Sequence, residues 1–140
     1  MEVKIVETEA ELDQAYTVRT IVFVEEQNVD PAIEMDEHEK ASTHFIGYEN
    51  DEPIAASRLR FMDDYGKLER ICVLQPFRGR TFGKQIINEM EQSIKNKGYK
   101  KAKLNAQTHA EEFYKALGYR TISDEFLDAG IPHVTMIKEL

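Results

Sequence analysis

The segment spanning residues 68–106 constrains the fold most. An apolar run, Leu68–Leu74, enters the basic, glycine-punctuated stretch RGRTFGK at 78–84, which opens into a helical stripe of Phe82, Ile86, Ile87, Met90 and Ile94. Gly98 closes that helix, and another strand-like run, Ala102–Ala106, follows. Strand, long helix and strand in this order form a crossover, which takes the right-handed form and joins parallel neighbours. The chain therefore needs a sheet with a helix laid across one face.

The rest of the pattern supplies that sheet. Val3–Val6 reads as a first strand. Thr8 and Glu11 form a capping box, and Leu12, Ala15, Tyr16, Arg19 and Val22/Phe23 extend a helix from about 9 to 23. His44–Glu49 and Ile54–Phe61 flank N-D-E-P as an antiparallel hairpin, and DDYG at 63–66 turns the chain into Leu68–Leu74. Thr108 and Glu111 make a second capping-box pattern, opening a short helix with Ala110, Phe113, Tyr114 and Leu117. Tyr119–Ile122 and His133–Ile137 close the chain as strands. The expected fold is α/β: one domain over 1–140, with a mixed sheet of six or seven strands and helices on both faces.

Composition narrows the function classes. The 140 residues carry a net charge of −8, which argues against a general nucleic-acid binder. No apolar run is long enough for a membrane helix, and the acidic N-terminus lacks a secretory apolar region. The single cysteine, Cys72, excludes an internal disulfide and fits a reducing compartment, so a cytoplasmic location is expected. His38, His44, His109 and His133 have no metal-ligand spacing, so no metal is expected. Cys72, between Ile71 and Val73, reads as an inert core thiol, and no serine-hydrolase elbow is present.

The join at 78–84 carries the clearest chemistry. Its glycines let backbone approach a ligand, the first helical amides point outward, and the helix dipole favours an anion there. Arg78, Arg80 and Lys84 add positive charge to an acidic protein. A phosphate cradle and a tight turn with solvated basic residues both fit. The stretch is neither a Walker A loop, since Gln85 follows Lys84, nor a dinucleotide fingerprint.

These residues resemble the acyl-CoA motif of the GNAT superfamily of N-acetyltransferases, Arg/Gln-x-x-Gly-x-Gly/Ala. Arg78, Thr81 and Gly83 occupy its fixed places, with Thr81 departing from the usual glycine. LNAQTHAEEFYKALGY at 104–119 resembles the family's second motif, with Asn105 and Tyr114 on its functional positions. VRTIVFVEEQNV at 18–29 and GIPH at 130–133 are similar to the small bacterial ElaA/YjcF-type branch. The resemblance implies a GNAT-like fold with acetyl-CoA as cosubstrate and an amine or peptide amine as acceptor. It places the cofactor on Ile71, Cys72, Val73, Arg78, Gly79, Arg80, Thr81, Phe82, Gly83, Lys84, Asn105 and Tyr114.

Acetyl transfer to an amine needs a neutral amine, a polarised thioester carbonyl and a proton for the departing thiolate. The resemblance assigns the carbonyl to free backbone groups of Ile71, Cys72 and Val73 on a splayed strand; the same side chains fit an ordinary internal strand. It assigns the proton to Tyr114, whose spacing alone equally suits core. Asn105 would bond the cofactor arm. Glu69, by alternation, shares a face with Ile71 and Val73, where apolar neighbours would raise its pKa into the range of a base. Pairing with Arg58 or Arg60 is the alternative. His133 is the rival base, or a structural cap at a strand start.

The stretch 25–39 holds Glu25, Glu26, Asp30, Glu34, Asp36, Glu37 and Glu39 without a Lys or Arg. It reads as a loop with one helical turn, either solvated or an acidic rim that steers a cationic amine. A non-catalytic acyl-CoA sensor and an acidic protein-interaction module are the competing functions. Monomer and homodimer both remain open.

Overall fold

The computed structural model describes residues 1–140. Strand β1 (Glu2–Ile5) leads to helix α1 (Glu9–Arg19), which runs on as a π-helical segment, Thr20–Glu26, and then to the single turn α2 (Pro31–Glu34). Three antiparallel strands follow: β2 (Thr43–Glu49), β3 (Glu52–Phe61) and β4 (Gly66–Val73). Helix α3 (Phe82–Asn96) crosses to β5 (Lys101–Gln107), and α4 (Glu111–Ala116) precedes β6 (Arg120–Thr121), β7 (Phe126–Asp128) and β8 (Ile131–Glu139).

All eight strands form one sheet in the order β1-β2-β3-β4-β5-β8-β6, with β7 also paired to β8. The β4–β5 pair is parallel and the others antiparallel, as a crossover through α3 requires. The strand expected over Tyr119–Ile122 shrinks to two residues. The short strand β7, absent from the sequence reading, hairpins onto β8.

Each face carries its own apolar layer. Ala15, Val18 and Val22 cover Ile46, Ala56 and Cys72 on one face. Ile86, Ile87, Met90 and Ile94 cover Ile54, Leu59, Leu68 and Leu104 on the other. Complete burial of one such isoleucine contributes about 1.5–3 kcal/mol. Gly66 sets the approach of α3, because a Cβ there would meet Ile94 at 2.5 Å.

The Thr8–Glu11 capping box forms as expected. The Thr108–Glu111 box does not: Thr108–Ala110 is a 3₁₀ turn, and the Glu111 carboxylate accepts from the Thr121 hydroxyl instead. The first helix departs from α-geometry at Thr20. Its π-segment continues to Glu26 and brings Phe23 to the cavity described below.

Candidate active site

The site grows from two irregularities in β4. Its parallel ladder to β5 stops at Leu68–Leu104, so from Glu69 and Asn105 onward the two strands have no paired register. Against β3, Ala56 pairs with Cys72 and Arg58 with Glu69, leaving Ser57 opposite both Arg70 and Ile71. This is a β-bulge, and Arg70 takes the left-handed region at φ 55°. Leu74 N–H donates to Ile54 O at 2.9 Å, so alternation turns Cys72 toward β3 and Ile71 and Val73 toward the gap.

Two expectations change in consequence. Cys72 presents neither backbone nor side chain to the gap: its thiol is buried and pushed up to about 12 by that burial. Glu69 shares its face with Cys72 and Arg58, because the extra bulge residue reverses the alternation. Burial raises Glu69, but hydrogen bonding from Arg60 and the charges of Arg58 and Lys67 prevail and hold it at about 2. Arg60 Nε lies 2.7 Å and Arg58 Nη2 2.9 Å from Oε1. Of the two roles the sequence left open for Glu69, the structure shows the ion pair with Arg58 and Arg60.

At one end of the gap, α3 begins without a side-chain cap. Its first intrahelical bond runs from Gln85 N–H to Thr81 O, leaving the amides of Phe82, Gly83 and Lys84 without helical acceptors. The Phe82 ring is buried, so only its amide can meet a ligand. Gly79 has φ +81°, and Arg80 and Lys84 are exposed. The Arg78 guanidinium takes the Glu26 carboxylate at 2.7 and 2.9 Å, and its Nε donates to Val73 O. Arg78 thus arrives already paired.

Thr81 holds the conformation that a glycine would supply, with φ 66° and ψ 8°. A Cβ in that region costs about 1–2 kcal/mol. Thr81→Gly is expected to raise stability by about 1 kcal/mol, part of the relief being lost to glycine's greater unfolded-state entropy. Urea denaturation would read this as a higher midpoint at unchanged slope.

At the other end lies a cavity of about 230 Å³. Its wall brings Glu69, Ile71, Asn105, Tyr114 and His133 together, five residues drawn from four separate sequence segments. Burial alone pushes the Tyr114 phenol up to about 12. Asn105 Oδ1 accepts from the Thr135 hydroxyl at 2.9 Å. His133 Nδ1–H donates to Ile131 O at 2.6 Å, which leaves Nε2 as the lone-pair nitrogen, and the ring stacks on Phe126. Across the cavity Gln107 Nε2 donates to Gln27 Oε1 at 2.9 Å, tying the π-segment's end to β5.

The acidic stretch divides in two: Glu25, Glu26, Asp30 and Glu37 are exposed, and the other three turn inward. Glu34 and Glu39 are buried against Arg19, at 2.7 and 2.8 Å, and Asp36 binds Arg58 at 2.7 Å. Arg58 also meets Glu39 and Glu69 and is 1% exposed. Glu34, Asp36 and Glu39 build the inner wall, so the outward-facing charge of the stretch belongs to Glu25, Glu26, Asp30 and Glu37. Of this wall, sequence reading foresaw only the Glu69 pairing with Arg58 or Arg60; it missed the rest, together with Gln27, Gln107 and Arg70.

Residues 9–140 match the family model described as an acetyltransferase (GNAT) domain. The chain is 46% identical to the uncharacterized N-acetyltransferase YjcF of Bacillus subtilis, over 99% of this chain and 100% of that protein. Escherichia coli ElaA is 30% identical over 95% of this chain and 92% of its own. The ElaA crystal structure superposes with a TM-score of 0.87, covering 99% of both chains. A GNAT family acetyltransferase from Elizabethkingia anophelis with acetyl-CoA bound shares the fold, with a TM-score of 0.78 at 18% identity, covering 99% of this chain and 97% of that one. With its splayed parallel pair, uncapped helix start and full-length relatives, the chain belongs to the GNAT acetyltransferase family, on its ElaA/YjcF-type branch.

Proposed function

We propose that the chain transfers an acetyl group from acetyl-CoA to a primary amine by direct attack. The observation that carries this reading is the gap between β4 and β5, with free amides at one end and a cavity bearing Tyr114 and His133 at the other. The pyrophosphate would sit on the amides of Phe82, Gly83 and Lys84, near Arg80, and compete with Glu26 for Arg78. The pantetheine arm would lie in the gap against the backbone of Ile71 and Val73, with Asn105 opposite. No metal has a role in this reading.

In the reaction, the amine nitrogen forms a bond to the thioester carbonyl carbon, and the carbon–sulfur bond breaks. The Ile71 backbone N–H would stabilise the developing oxyanion. Tyr114 gives its proton to the departing thiolate, while the amine's proton passes to His133 Nε2 or to water. Glu69, ionised and held by arginines, organises the wall without accepting that proton.

Gly83 tests the cradle. A Cβ there would meet only Phe113, at 3.6 Å, so the fold accommodates substitution. Gly83→Leu is expected to weaken acetyl-CoA binding at least tenfold, about 1.4 kcal/mol. Calorimetric titration on a folded variant checks this; an unchanged dissociation constant removes the pyrophosphate from this helix. Thiol release with a panel of amines separates turnover from mere acyl-CoA binding.

A further inference from the structure

The ionic wall behind the cavity is unevenly paired. Arg19, Arg58, Arg60, Lys67 and Arg70 face Glu34, Asp36, Glu39 and Glu69, which leaves one positive charge in excess. Arg19 holds Glu34 and Glu39 at 2.7 and 2.8 Å, and Arg58 holds Asp36 and Glu69 at 2.7 and 2.9 Å. Arg70 is the loosely held cation, 3.7 Å from Glu34 and 3.5 Å from Asp36. Its other bonds are long ones to backbone carbonyls, from Nε to Glu34 at 3.3 Å and from Nη2 to Ile33 at 3.2 Å, leaving Nη1 uncommitted.

Arg70 also occupies the bulge, at φ 55°, beside Ile71 and in the cavity wall, with its side chain 23% exposed. Burial, followed by the charges of Arg58 and Arg19, pulls its guanidinium below the ordinary range, as expected of a cation short of counter-charge. Strained backbone and β-bulges cluster at ligand sites, where they re-aim side chains. Of the cavity's carboxylates, Glu34 and Glu69 are already committed to arginines, and Asp128 lies exposed at the mouth.

We propose that Arg70 receives a carboxylate of the acceptor, so that the acceptor is an amino-acid-like molecule carrying both an amine and a carboxylate. The guanidinium fork suits a planar carboxylate, and seating it there would leave the amine free to face the gap next to Ile71. The proposal rests on the acetyl-transfer reading only in calling this cavity the acceptor chamber.

Two measurements test it. The first is kcat/KM for amino acids, α and ω, against the same amines lacking the carboxylate. The wild-type protein is expected to favour the carboxylated member of at least one pair tenfold or more, and in Arg70→Gln that ratio falls toward one. Equal rates across all wild-type pairs, or a preference that survives Arg70→Gln, overturns the proposal. The second needs no turnover: thermal stabilisation by N-acetylglycine against uncharged N-ethylacetamide, with CoA present. Stabilisation by the carboxylate alone, lost in Arg70→Gln, upholds the site even where no amine is acetylated, and the acetyl-transfer reading then fails by itself. Lack of any amine turnover together with equal response to the two probes overturns the carboxylate site. Should Arg70→Gln not fold, Arg70→Lys, which keeps the charge but not the fork, is expected to lower both readouts, and full retention of both would overturn the proposal.

Discussion

Tyr114→Phe is expected to lower kcat by about a hundredfold or more, the usual contribution of a positioned general acid, while acetyl-CoA affinity changes little. Tyr114 stands edge-on to Phe113 and Tyr119, so phenylalanine fits the same space and the loss reads the hydroxyl. The phenol is pushed up to about 12 by burial and therefore carries its proton throughout the neutral range. In the proposed reaction, a thiolate leaving in the same water-poor surroundings would take that proton. Because the interaction arises only as the carbon–sulfur bond breaks, kcat and kcat/KM should fall together. Single-turnover kinetics on the folded variant check this, and near-normal rates would return Tyr114 to the apolar core.

Arg58→Ala is expected to cost about 3–5 kcal/mol, the range for breaking a buried ion pair from one side. Arg58 is 1% exposed and faces Asp36, Glu39 and Glu69, so its removal takes a partner from three carboxylates at once. The same wall sets an acid limit. Asp36 and Glu69 are both held at about 2, below their ordinary 3.8 and 4.5. A depressed carboxylate contributes stability that is complete above its unfolded pKa and disappears as pH falls through its folded one. The wild-type protein should therefore weaken from about pH 4.5 down to about pH 2, without a matching loss from these groups above pH 6. Denaturant titrations at pH 7, 4 and 2.5 measure this, and in Arg58→Ala the acid-dependent part should shrink.

Element order was legible because apolar spacing reports it directly. The stripe from Phe82 to Ile94 and the runs on either side gave α3, β4 and β5 nearly to the residue. The uncapped start of α3 was legible for a related reason, since glycines and basic residues before a helix act locally. The bulge was not: arginine disfavours φ 55°, and only the surrounding contacts impose that conformation on Arg70. The misplacement of Glu69 follows from it, since alternation carried past an unseen extra residue puts every earlier side chain on the wrong face. The ionic wall was hidden because its partners are distant in sequence. An acidic run reads as solvated until Arg19 and Arg58, from α1 and β3, are brought under it. The π-segment was hidden because Val22 and Phe23 satisfy α-helical spacing up to the residue where the geometry changes.

The bulge gives β4 something like two reading frames. Upstream of Arg70, alternate side chains sort between the α3 layer at Leu68 and the ionic wall at Glu69; downstream, Ile71 and Val73 resume the α3 side while Cys72 meets α1. One uncounted residue separates them, and it sits at the cavity. Substitutions within the strand alter one contact each, but deleting Arg70 would restore plain alternation, keeping Leu68, Glu69, Ile71 and Cys72 on their present faces while removing the bulge and the cation it carries. Among descendants of this chain, the strand is thus free to drift in composition and bound in length, and an insertion or deletion there would retire the site before it unfolded the sheet.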